Sequence, residues 1–109
     1  MEPAETNANL ATTEVAELLG LETEMGKRLL REALTLTKVL DRKNADYSSA
    51  NIQKFGMQGI LVRLSDKLER LSNLIKKNGE ANFESIEDTL TDISGYSLIG
   101  IVWSKGEWK

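Results

Sequence analysis

The chain has 109 residues, 40% of them hydrophobic and 28% charged, a composition that suits one globular domain and excludes a fibrous or disordered class. It contains no cysteine and no histidine, which removes disulfides, thiolate nucleophiles, zinc–thiolate sites and every Ser-His or Cys-His pair. The formal net charge of −3 argues against a dedicated nucleic-acid binder, and no run approaches the ~18 apolar residues of a membrane span.

Residues 1–11 lack a hydrophobic period and read as a flexible N-terminal arm. They show no basic-then-apolar leader pattern, which with the lack of cysteine points to a cytoplasmic protein. Thr12 or Thr13 offers an N-cap, with Glu14 and Glu17 in the first turn, for a short helix to Leu19 that Gly20 interrupts. From about Leu21 to Lys43, Met25, Leu29, Ala33, Leu36 and Leu40 recur every three or four residues, the period of an amphipathic helix. Residues 44–57 lose that rhythm and read as a long polar connection. From Gln58 to Lys77 a heptad-like seam returns in Ile60, Leu61, Leu64, Leu68, Leu71 and Ile75. Asn78-Gly79 then signals a stop. A last helix spans about Phe83 to Trp103, and Lys105-Gly106 ends it. The expectation is an all-α domain over residues 12–105 with a short tail at 106–109. It has three long helices and a short N-terminal one, and it completes a four-helix bundle by oligomerisation.

Two polar stripes stand out. Arg63, Asp66, Lys67 and Arg70 fall at i, i+3, i+4 and i+7, so they share one side of the middle helix. They read either as a solvated face or as a cationic clamp for phosphate oxygens. On the last helix, Ile86, Leu90, Ile93, Ser97 and Ile101 predict the packed face. Glu84, Asp88 and Asp92 line the opposite side and run into Gly95, Ile99 and Val102. Like charges four apart repel by a few tenths of a kcal/mol per pair. First-turn capping explains Glu84, Glu87 and Asp88 but not Asp92. Asp92 therefore either joins a hard-cation site for Mg²⁺ or Mn²⁺, or pairs with Arg63, Lys67 or Arg70. Gly95, poor in a helix interior, suggests close approach of a helix or ligand. Tyr96, one turn beyond Asp92, reads as core or as a hydrogen bonder of carboxylate or substrate. Trp103 and Trp108 read as seals of a core or of an oligomer interface.

Three strings, Lys43-Asn44-Ala45-Asp46-Tyr47, Val62 through Leu71, and Glu84 through Tyr96, carry a resemblance. Over about residues 38–101 the chain resembles the nucleotide modification associated domain family of phages and bacteria. That family is itself considered similar to the MazG-like all-α nucleoside triphosphate pyrophosphatases. The resemblance implies a Mg²⁺-dependent hydrolase, assembled as a dimer or tetramer, that splits a (deoxy)nucleoside triphosphate between its α and β phosphates. It further implies metal ligation by Asp88 and Asp92, with Glu84 as a further candidate and Asp66 joining from the middle helix, and phosphate binding by Arg63, Lys67 and Arg70. Lys43, Asp46 and Tyr47 would lie near the nucleotide, and Glu84 or Glu69 would serve as general base. The Glu-Glu-x-x-Glu cluster of the MazG-like enzymes is missing, with Asp66 and Glu69 as its nearest substitute. The competing expectation is a non-enzymatic helical module that binds a partner through the leucine seam or the tryptophan-bearing tail.

Overall fold

The computed structural model describes residues 3–47, 49–77 and 83–109, with side chains described in these ranges except at residues 3–10, 47, 83 and 84. Four helices follow one another: α1 Pro3–Leu19, α2 Glu24–Tyr47, α3 Ala50–Lys76 and α4 Phe83–Ser104. Among the described residues there is no strand, as the all-α expectation requires, and no helix long and apolar enough to cross a membrane. The chain divides into two compact units, Met1–Arg42 and Lys43–Lys109.

In the first unit, α1 begins at Pro3, so the expected arm is helical over nearly its whole length. Proline suits the first helical position, where its missing N–H has no partner to lose. The alanines at 4, 8, 11 and 16 favour helix by propensity without any hydrophobic period, which is why a search for periodicity passes over them. Thr12 and Thr13 consequently lie inside α1 and do not cap it. Gly20, at φ +70°, closes the helix as foreseen. Its N–H reaches Glu17 O at 3.1 Å, and Leu21 N–H reaches Ala16 O at 3.0 Å, the paired closure of a Schellman motif. Thr23 caps α2 through a 2.9 Å bond from Gly26 N–H to its Oγ1.

The second unit corrects the expected loop at 44–57. α2 continues to Tyr47 and α3 starts at Ala50, so only positions 48 and 49 separate them. The polar residues Asn51, Gln53 and Lys54 form an exposed helical turn; polarity alone does not mark a loop. What interrupts α3 is Gly56, at φ 60° and ψ −150°, a backbone state open to glycine and costly for other residues. The kink there brings Phe55 close to Gly59, where a Cβ would stand 2.6 Å from Phe55 Cβ. The Asn78-Gly79 stop lies outside the described residues. Gly106, at φ +72°, ends α4 with a second Schellman closure, its N–H 2.9 Å from Trp103 O and Glu107 N–H 3.1 Å from Val102 O.

α3 and α4 pack against each other. Trp103 covers Gly56, Gly100 meets Ile60, Lys67 pairs with Asp92, and Arg70 reaches Thr89. One number rises as the other falls at constant register, so the two helices form an antiparallel hairpin. Its inner line on α4 comprises Ser85, Thr89, Asp92, Ile93, Tyr96, Ile99, Gly100 and Trp103, all buried or half-buried. The expected packing face is therefore turned: Leu90 and Ile101 are exposed, and Asp92 lies near the seam. Placing Asp92 beside a lysine rotates the helix away from its most apolar stripe.

Candidate functional site

Polar chemistry in the hairpin gathers on one flank, where α3 supplies cations and α4 supplies acceptors. Asp92 is engaged by Lys67, whose Nζ donates to Oδ2 at 3.0 Å, with both side chains about one-third exposed. One turn further along α3, Arg70 Nε donates to Thr89 Oγ1 at 3.2 Å. Thr89 is only 1% exposed, and its hydroxyl donates to Ser85 O at 2.6 Å. The threonine thus satisfies its own hydroxyl within α4 and still offers a lone pair to the guanidinium. Lys67 and Arg70 are held at neighbouring levels by groups from the opposite helix.

The remaining candidates are more dispersed. Asp66, Glu69 and Arg70 line a shallow depression of about 370 Å³ on α3 with Asn73, Leu74 and Lys77. Asp66, Glu69, Asp88 and Arg63 are exposed, and Tyr96 is half-buried on the α4 inner line. Lys43 and Asp46 are exposed on the last turns of α2, with Asn44 Oδ1 3.2 Å from Ser49 Oγ. The side chains of Tyr47 and Glu84 lie outside the described part of the structure. Among the described residues, no three carboxylates come together as a metal would need. Of the three aspartates expected to hold a metal, Asp92 has a lysine partner.

The C-terminal tryptophans seal the open end of the hairpin. A Cβ built on Gly56 would stand 2.9 Å from Trp103 Cζ2, so the indole lies directly on that backbone. Trp108 Nε1 donates to Ser49 O at 3.1 Å, Gln53 Nε2 donates to Trp108 O at 3.3 Å, and Ser49 Oγ lies 2.7 Å from Lys109 O. Ser49 occupies the N-cap of α3 without making a side-chain cap bond, because its hydroxyl is turned to the tail. No local signal marks Ser49, Gln53 or Thr89 in the sequence, since each acts through a residue far along the chain.

The other flank of the hairpin is apolar. Relative to Ile60, Met57, Leu61, Leu68 and Ile75 lie about 60–100° round α3, while Leu90 and Ile101 lie about 100–120° round α4 from Thr89. In an antiparallel pair these two rotations open to the same side. Leu61 is 58% exposed, Leu68 55%, Ile75 59%, Leu90 47% and Ile101 52%. The positions between them on this flank are Ser65, Ser72, Ser94 and Ser97, with no charge among them. No protein-family model matches the chain, and no curated protein and no solved structure is significantly similar to it.

Proposed function

We propose that the protein is a helical assembly module, in which the apolar flank of the α3–α4 hairpin packs on the same flank of a second copy and completes a four-helix bundle. The observation that carries this reading is the uncharged stripe of half-exposed aliphatic residues running along both helices. The stripe from Met57 to Ile75 is about 27 Å long at 1.5 Å per residue and about 18 Å wide across two packed helices. A contiguous apolar surface of several hundred Å² is as large as the largest patch of a typical monomer, and patches of that size are often functional. In this unit the only fully buried hydrophobic side chain among the described residues is that of Ile60, which is little for a hairpin to stand on alone. A face that is apolar throughout complements itself under two-fold symmetry, and the interleaved serines permit close approach of helices.

Sedimentation equilibrium tests the reading. The chain should sediment as a dimer or higher homo-oligomer at micromolar concentration, and Leu61→Lys with Leu68→Lys should shift it to monomer while circular dichroism still reports helix. A wild-type chain that stays monomeric at every concentration would overturn it.

A second reading, hydrolysis of (deoxy)nucleoside triphosphates as the family resemblance implies, draws support from Lys67 and Arg70, two cations held in place on one flank. Its test is pyrophosphate release from a panel of (deoxy)nucleoside triphosphates with Mg²⁺ or Mn²⁺. Turnover that Arg70→Gln abolishes would establish it, and no release from any substrate would remove it.

A further inference from the structure

The net charge of the chain conceals an uneven distribution. α2 carries six of the fourteen Lys and Arg residues but only four of the seventeen acids. Four of its cations, Arg28, Arg31, Lys38 and Arg42, fall within about 80° of arc at 100° per residue, and all four are exposed. They lie wholly in the first unit. Among the described residues none of the four has an ion-pair partner, although Glu32 and Asp41 are within a turn of them in sequence. Arg28 and Arg31 also line a cleft of about 390 Å³ with Thr12, Thr13, Ala16 and Glu17 of α1. Glu24 at its edge is taken by Lys27, 3.3 Å away.

A solvated helix face usually alternates charges, placing an acid three or four residues from each base. Here acids do stand at that spacing, Glu24 and Glu32 from Arg28, Asp41 from Lys38 and Asp46 from Arg42, but none of them pairs with the row, in which Arg28 and Arg31 are three apart and Lys38 and Arg42 four apart. Each such like-charged pair costs a few tenths of a kcal/mol. The row extends about 21 Å along the axis from Arg28 to Arg42, too far for one phosphate or carboxylate to reach both ends. A regularly charged linear polyanion matches that length. Only Thr35 and Val39 break the row, and no aromatic residue lies within it. Base stacking, the usual grip on single strands, is therefore lacking. A duplex backbone needs only a line of cations.

We infer that the outer face of α2 is a docking surface for the phosphate backbone of a double-stranded nucleic acid, bound without regard to sequence. Arg28, Arg31, Lys38 and Arg42 each meet a backbone phosphate, and the exposed guanidinium groups are suited to bidentate contact.

Fluorescence anisotropy of the full chain with labelled duplexes of about 20 base pairs, from ~20 to ~200 mM salt, tests this. Four phosphate contacts predict a slope of about −3 to −4 in log affinity against log salt, equal for two unrelated sequences. R28Q/R31Q/K38Q/R42Q should weaken binding more than tenfold, while K76Q/K77Q at the end of α3 should leave it within twofold. R31Q and K38Q alone should each flatten the salt slope by about one, which keeps the test open if the fourfold variant loses its helix content. Failure to bind duplex at the lowest salt would overturn the inference. So would unchanged affinity in the fourfold variant, or tighter binding of polyglutamate or phosphatidylserine vesicles than of duplex.

Discussion

Gly56 meets two independent demands at one position. Its φ of 60° and ψ of −150° exclude most side chains, and Trp103 Cζ2 leaves 2.9 Å where a Cβ would go. Gly56→Ala should therefore cost about 2–4 kcal/mol, combining backbone strain with displacement of an indole. Gly100 provides the contrast: a Cβ there meets Ile60 Cγ2 at an ordinary 3.7 Å in regular helix, so Gly100→Ala should be neutral or stabilising by up to ~1 kcal/mol. Urea denaturation of both variants checks the pair of outcomes. Asp92 and Lys67 are only partly shielded from water, so their pairing should be worth well under 1 kcal/mol. A double-mutant cycle with Asp92→Asn and Lys67→Met should return a coupling of about 0.5 kcal/mol that shrinks as salt is added.

At the scale of elements, helix number and type are legible in the sequence, because apolar spacing and terminal glycines are local signals. Gly20 and Gly106 end their helices as their positions suggest. The beginning of α1 and the start of α3 are not legible in the same way. Alanine propensity carries no period, and a polar helical turn resembles a loop until its neighbours are known. The face of α4 is the more instructive case. Hydrophobicity favours Leu90 and Ile101 as the inner line, whereas Thr89, Asp92 and two glycines at 95 and 100 sit closer to it. Small and hydrogen-bonded residues permit the close approach beside Ile93 and Ile99, while Leu90 and Ile101 are turned outward. Charge spacing leaves Asp92 a choice among three cations, and the register of the two helices brings Lys67 to it. The Leu68 and Val62 positions separate the two exposed sides of α3. Leu68→Glu should abolish self-association, while Val62→Glu, on the side away from the hairpin seam and similarly exposed at 58%, should leave the sedimenting mass unchanged.

Taken over the whole chain, particular charges and particular apolar side chains gather on single helix faces. Cations line α2, an uncharged aliphatic stripe runs along the second unit, and the mixed polar flank lies on the other side of the same hairpin. Length, composition and net charge average over these surfaces, so they reveal neither the stripe nor the row of cations. The overall value of −3 describes solubility and says little about any one face.

The tail contacts have a consequence for motion. An antiparallel helical pair ordinarily opens from the end that no chain segment joins, one turn at a time, because the last hydrogen bonds there have the fewest neighbours. Here Ser49 and Trp108, 59 positions apart in sequence, close that end with an indole donor to a carbonyl. Opening either helix terminus must then release the other, so the two should exchange their amide protons as one cooperative unit. In hydrogen-exchange measurements the amides of Gln53 and Lys105 should be protected to a similar degree. Trp108→Ala should speed both together while the amides near Lys67 and Asp92 keep their rates.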